Sequence, residues 1–361
     1  MKKQVDQVSE GTIVLEDIMG RTQYPIVKKG TVLTHEHINV LKEFKIQTID
    51  IELSTASLNP ADSNEKGLDL QAEPFNHSYN HVFSDLYDYA IRQYKNHFIQ
   101  WQSGAPLKVE SIREYLYPII EFLEKDDSVL RNLHSFSTKQ EYIYHHAISV
   151  GVLSGMLAKK MGYTKGQYLQ SALAGCVANA GMARISPRLI NKTADLTEEE
   201  LKEIRNHPIS SLKMVQNSPL LKAEGKLGVF QHHERLDGSG YPLGEKGKRI
   251  HTNAMIIAIS DVYHALTTDR PYRKKRSPFQ ALEVIRVDHF GQFDMGVINA
   301  LFSLIADLPI GTKVKLSNGK TGELLFKKPS ALTRPLIKVI LTNEIIDLEK
   351  NRSIYISEIM D

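Results

Sequence analysis

From about Ser137 to about Asp307 the chain reads as almost unbroken helix, and that stretch decides which folds are open to it. In EYIYHHAISVGVLSGMLAKKMG, Ile148, Val152, Met156 and Leu157 recur at helical spacing, so an amphipathic helix is expected, ending at Gly162. KGQYLQSALAGCVANAG reads as a second, mostly apolar helix, and TNAMIIAISDVYHALTT as a buried one. LTEEELKEIRNHP opens on a capping box, with Thr197 as cap and Glu200 three residues on. Pro208 ends or kinks that helix. Successive helices with apolar faces bury them against one another, so a helical domain is expected.

The flanks differ. Residues 1–60 alternate short apolar runs with turns: TIVLEDI and YPIVKKGTVLT read as strands with a turn at Gly30, and QTIDIEL as a closing strand. Between them a helix capped by Thr34 would place Ile38, Leu41 and Phe44 on one face. This is a small N-terminal α/β module. Residues 61–80 are polar and aperiodic and read as a linker. Helical patterning then covers 81–308, with Pro118 expected to mark a kink or a break. Residues 309–361 form a small C-terminal β domain, with a hairpin at Ser317-Asn318-Gly319. The fold class is mainly α.

The central stretch holds His145, His146, His207, His232, His233, Asp261 and His264, all on expected helices or at their ends. Neutral imidazole is the commonest metal ligand, and helical bundles build metal sites from inward side chains. The other reading of any single histidine is a solvated or hydrogen-bonded side chain. The pair His232-His233 stands out, because it precedes Glu234 and the glycine-rich turn of QHHERLDGSGYP. His145 points about a hundred degrees away from His146 around the helix and is not expected to share its role.

HHERLDGSGYP, followed by ISDVYHALTTDRPYR, resembles the HD-GYP family, a branch of the HD-superfamily metal phosphohydrolases. YIYHHAISVGVLS and LTEEELKEIRNHP resemble two further family segments, and the likeness covers about residues 137–290. The resemblance implies hydrolysis of cyclic di-GMP at a two-metal centre, often of iron or manganese. It implies metal ligands at His146, His207, His232, His233 and Asp261, and phosphate-binding roles for Arg270 and Arg273. Guanidinium forks suit phosphate oxygens.

One segment departs from the family pattern. Where the family carries a stretch like LLHDIGK, this chain has CVANAGM, and Gly181 and Ile185 hold the alignment. The family His, Asp and Lys positions are therefore Ala178, Asn179 and Met182. Alanine has no lone pair to give. Asn179 offers one neutral carbonyl oxygen and an amide nitrogen that only donates, a poor bridge for two cations. A two-metal centre is thus not expected. His207, His232 and His233 can still hold one divalent metal (iron, manganese or zinc), and the competing expectation is a metal-free core. His264, three residues after Asp261, faces the same side of its helix and is a candidate substitute ligand. Cys176 reads as a small buried hydrophobe.

The resulting expectation is a catalytically impaired regulatory or cyclic-nucleotide-binding protein of cyclic di-GMP signalling. The alternative is a residual phosphodiesterase with a single-metal site. Expected partners are cyclic di-GMP or another phosphorylated nucleotide, and a protein docked on the Gly-Tyr-Pro loop. Lys+Arg 45 against Asp+Glu 42 gives a net charge of +3, which does not suggest a nucleic acid polymer. The single cysteine, the lack of a signal-like N-terminus and the lack of an apolar run of ~20 residues point to a cytoplasmic protein without a membrane span.

Overall fold

The structure, a computed structural model, describes residues 2–9, 12–19, 25–27, 29–31, 33, 37–38, 41–42, 46–51, 75–192, 194–269, 274–287 and 290–360. It divides into two units, Met1–Gln71 and Ala72–Asp361.

In the first unit, β1 (Lys2–Gln4) pairs antiparallel with β4 (Thr48–Asp50), and β2 (Ile18–Met19) with β3 (Pro25–Val27). Val5, Val14, Leu33, Ile38, Leu41 and Ile49 form its core. The expected cap Thr34 and core residue Phe44 lie outside the described residues, as does most of the stretch read as a linker.

The second unit begins with α1 (Phe75–Gln102) and α2 (Val109–Leu123). Phe83, Tyr87, Tyr94, Phe98 and Trp101 recur along one face of α1 and are buried. Pro118 does not break α2, which runs on to Leu123; the chain leaves the helix earlier, between Gln102 and Val109. A 3-10 helix, Ser128–Phe136, leads into α3 (Tyr142–Lys160). The expected amphipathic character of α3 is not found: every residue from His145 to Ala158 is buried. Its second face is covered because Gly151, Ser154 and Gly155 are small enough for α4 (Lys165–Val177) to close on it. A Cβ at Gly151 would lie 2.8 Å from that of Cys176, which is itself fully buried.

After α4 come a 3-10 turn, Ala180–Arg184, and a single helical turn, Pro187–Ile190. Then follow α5 (Glu198–Arg205), α6 (His207–Val215), α7 (Ala223–Gln231), α8 (Thr252–Thr267), α9 (Pro278–Val287) and α10 (Met295–Ile305). The Thr197–Glu200 capping box forms at the start of α5. Pro208 sits in the first turn of α6, where its missing N–H costs nothing, so the chain turns at Asn206 and begins a new helix. α8 packs on both α3 and α7.

The chain ends in an antiparallel sheet of β5 (Lys313–Leu316), β6 (Thr321–Phe326), β7 (Leu336–Val339), β8 (Ile345–Asp347) and β9 (Ile356–Ile359), in the order β8-β7-β6-β5-β9. Its inward Val314, Leu324, Ile337 and Ile356 belong to the same core as the helices. The Arg334 guanidinium fastens it there, pairing bidentately with the Glu283 carboxylate of α9 and donating to the Ile354 carbonyl at 2.7 Å. Among the described residues no helix is long and apolar enough to cross a membrane.

Candidate metal centre

Five elements converge on one buried polar pocket: the first turns of α3, the end of α4, the start of α6, the end of α7 and the middle of α8. Gly181 brings two of them together. A Cβ there would lie 2.2 Å from the His207 carbonyl oxygen and 2.6 Å from the Ser211 nitrogen. With no side chain in the way, the Gly181 N–H donates to Ser211 Oγ at 2.7 Å, and the Asn179 turn is pinned against the start of α6.

One half of the pocket is built from three imidazoles. His207, His232 and His233 each present a ring nitrogen, and these atoms all lie within 4.8 Å of one another. His207 Nδ1–H donates to the Ile204 carbonyl at 2.7 Å, and His232 Nδ1–H to the Val229 carbonyl at 2.8 Å. That fixes both tautomers and leaves both Nε2 lone pairs facing each other across 3.3 Å. Two lone pairs cannot bond to one another, but they can share a cation. The His233 ring stacks on Tyr241, with centroids 4.7 Å apart. Burial pushes His207 down to about 4; burial and then the neighbouring His207 push His232 down to about 3; burial holds His233 well below its ordinary value. All three are neutral near pH 7, the state in which imidazole ligates.

The other half is closed on itself. His146 Nε2–H donates to Asp261 Oδ1 at 2.8 Å, and Asn179 Nδ2–H donates to the same oxygen at 3.1 Å. His264 lies against the far nitrogen of His146, Nδ1 to Nδ1 at 3.0 Å, and its own Nε2 meets Ser137 Oγ at 3.2 Å and Thr268 Oγ1 at 3.3 Å. One proton assignment satisfies these contacts: the two hydroxyls donate to His264, His264 to His146, and His146 to Asp261. Burial acts to raise the Asp261 carboxyl, and the bonded His146 together with the nearby His233 and His232 outweighs it, holding that group well below the usual carboxylate range.

Glu234 does not join the histidines. It is buried, and its carboxylate accepts the N–H groups of Leu243 at 2.7 Å and Glu245 at 3.0 Å, which ties down the loop after the His-His pair. Tyr241 N–H returns to the His233 carbonyl at 3.2 Å, so the loop is sewn to the ligand turn at both ends.

Other candidates fall outside the pocket. Ala178 is fully buried in the apolar core, and Met182 packs against it. His145 turns away from His146 and stacks on Tyr87. Arg270 and Arg273 lie outside the described residues. Sequence reasoning missed Tyr142, whose ring stacks on His146 and whose hydroxyl lies 3.3 Å from its Nδ1. Its position four residues before His146 on one helix was the available signal. It also missed Arg205, whose guanidinium lies 5.6 Å from the Tyr241 ring centroid.

A family model described as an HD domain matches residues 129–297. A cyclic di-GMP phosphodiesterase of Pseudomonas aeruginosa is 31% identical over 217 residues, 60% of this chain and 52% of its own length. Another, from Borreliella burgdorferi, is 28% identical over 215 residues, 58% of this chain and 56% of its own. The chain spans about half the length of these curated relatives. Among solved structures, an HDG"Y"P protein from Bdellovibrio bacteriovorus shares the fold, with a TM-score of 0.52 at 15% identity over 83% of this chain and 97% of its own. Over residues 129–297 the chain is similar to the HD-domain family.

The three-histidine half of the pocket fits a divalent metal ion. His207, His232 and His233 offer three neutral nitrogens, two of them oriented by backbone bonds, the donor set of an open zinc- or iron-type site. The His146–Asp261 half has a single carboxylate, and one oxygen of it already takes two hydrogen bonds.

Proposed function

We propose that this protein binds a cyclic dinucleotide, cyclic di-GMP being the first candidate, in cyclic di-GMP signalling, and that it lacks two-metal phosphodiesterase activity. The observation that carries the reading is the use made of Asn179. Its amide donates to Asp261 from the position where the family resemblance places a bridging aspartate. A neutral donor there contributes no charge to a metal pair and occupies an oxygen that such a pair would need.

One divalent ion on His207, His232 and His233 completes the proposal. A divalent ion held there polarises a phosphoryl oxygen and lowers the pKa of a bound water. The chain's own part is to keep the three imidazoles neutral through burial and to aim two of them by their backbone bonds. Tyr241, stacked on His233, forms one wall beside these ligands, and Arg205 sets a positive charge over that ring. A ligand phosphate at this edge gains from that charge.

The same three histidines favour a second reading, a slow phosphodiesterase using a single metal. Metal analysis of the purified protein, a cyclic di-GMP titration and a turnover assay with added Mn²⁺ or Fe²⁺ separate the two. Saturable binding with one metal per chain and no product supports the proposal. Linear dinucleotide or GMP, formed at a rate that His232→Ala abolishes, establishes the second reading instead. Absence of metal after reconstitution removes the single-metal site from both.

A further inference from the structure

A cleft of about 1120 Å³ opens between the 3-10 helix Ser128–Phe136 and strand β5, and no residue of the histidine pocket lines it. Its size is just above the range of small-molecule pockets, roughly 300–1,000 Å³. Its charge is one-sided: Arg131, Lys275, Arg276, Lys313 and Lys315 face a single carboxylate, Glu358. The whole chain has a net charge of only +3, so these cations are concentrated rather than sampled.

The local structures explain the concentration. In β5 burial alternates, with Val314 and Leu316 inward and Lys313 and Lys315 outward, so both ammonium groups share one face. On the opposite wall, Arg131 and His134 are three residues apart in a 3-10 helix, a spacing at which side chains eclipse. Three other lysines of the sheet region are neutralised: Lys320 by Glu344, Lys327 by Asp307 and Lys328 by Asp347. Among the described residues, none of the five cleft cations is ion-paired. Arg131 Nε is buried without a hydrogen-bond partner, an arrangement that native structures normally avoid. Burial and then the Lys275 ammonium push His134 down to about 4, so the positive field reaches across the cleft. The Phe136 and Tyr355 side chains also line it and offer apolar contact to a base.

We infer that this cleft is a second ligand site, distinct from the histidine pocket, which binds the phosphates of a nucleotide. Phosphate oxygens would satisfy the Arg131 guanidinium and neutralise Lys313 and Lys315 together. The test is calorimetric titration of the full chain with GTP, and separately with pyrophosphate, in EDTA so that no metal at the histidines contributes. GTP is expected to bind saturably, more tightly than pyrophosphate. The exposed double variant Lys313→Glu/Lys315→Glu is expected to weaken it at least tenfold, Arg131→Gln likewise, and His232→Ala not at all. Circular dichroism checks that each variant is folded, and the surface-lysine pair keeps the test decisive if Arg131→Gln is not. No saturable GTP binding, or binding unchanged by the lysine reversals, overturns the site. Binding lost in His232→Ala assigns it to the histidine pocket instead, and pyrophosphate binding as tightly as GTP removes the nucleotide assignment.

Discussion

Asn179 Nδ2 lies 3.1 Å from Asp261 Oδ1, the oxygen that also takes the His146 Nε2–H at 2.8 Å. Two donors on one carboxylate oxygen form a closed, hydrogen-bonded arrangement in a buried pocket. The neighbouring three-histidine group is the reverse, since its Nε2 lone pairs converge with no donor between them. The two halves of one pocket thus have opposite chemical needs.

Asn179→Asp tests the closed half. In EDTA it replaces a donor with a second carboxylate about 3 Å from the first, removing a buried hydrogen bond and adding repulsion. A loss of about 2 kcal/mol is expected, seen as a Tm lower by about 5 °C. Added Mn²⁺ should restore most of it, because two carboxylates and His146 then make a hard-metal site. Thermal denaturation with and without Mn²⁺ reads both arms; equal Tm values in EDTA for variant and parent would sink the Asn179–Asp261 bond.

Gly181→Ala forces a methyl group against backbone atoms of His207 and Ser211, which cannot rotate away. The expected cost is about 3 kcal/mol, with His207 displaced and the metal retained less well through dialysis. Urea denaturation and metal analysis measure the two effects, and unchanged values for both would mean that the α6 start does not pack on this turn.

Glu234→Ala leaves the Leu243 and Glu245 N–H groups without their acceptor and should cost about 2–3 kcal/mol. Hydrogen exchange of residues 236–247 should speed up while metal content stays as in the parent. Metal lost from a loop that keeps its protection would instead make Glu234 a ligand.

Acid should weaken the fold in a defined window. His207 and His232 are held at about 4 and about 3 in the folded chain, below the ~6.5 of an unfolded imidazole. Between those values the unfolded chain binds more protons, so stability rises with pH. The contribution is fully present above about 6.5 and is lost as pH falls toward 4 and then 3, at up to ~1.4 kcal/mol per pH unit per imidazole. Asp261, held low, acts in the same direction below about 4. Urea titrations in EDTA at pH 7.5, 6 and 5 should show the slope, and His207→Gln/His232→Gln should flatten it. Metal affinity falls through the same window, because only neutral imidazole ligates.

Helix positions were legible because their signals are local. Apolar spacing marked 142–160, 165–177 and 252–267, and a four-residue motif marked the start at Thr197. The turn at Ser317-Asn318-Gly319 marked the β5–β6 hairpin in the same way. Pro118 misled because a proline's effect depends on what the surrounding helix packs against, and α2 holds its course through Ile112, Leu116, Ile119 and Leu123 in the core. α3 misled because periodicity reports one apolar face, whereas burial of its other faces depends on small residues meeting α4, α1 and α8.

The chemistry available was readable along the chain: which positions carry imidazoles, that positions 178, 179 and 182 hold Ala178, Asn179 and Met182, and that one carboxylate, Asp261, stands among the expected ligands. Residue type sets lone pairs and charge, and no fold can change those. How those groups are used depends on the packing of the helices. The fold turned Glu234 toward its own loop, laid His264 against His146, and set Asn179 as a donor on Asp261. His146 and Asp261 are 115 positions apart in the chain, and Asn179 and Asp261 are 82 apart. Which nitrogen meets which oxygen across such separations follows from how α3, α4 and α8 pack, a relation that no local pattern encodes.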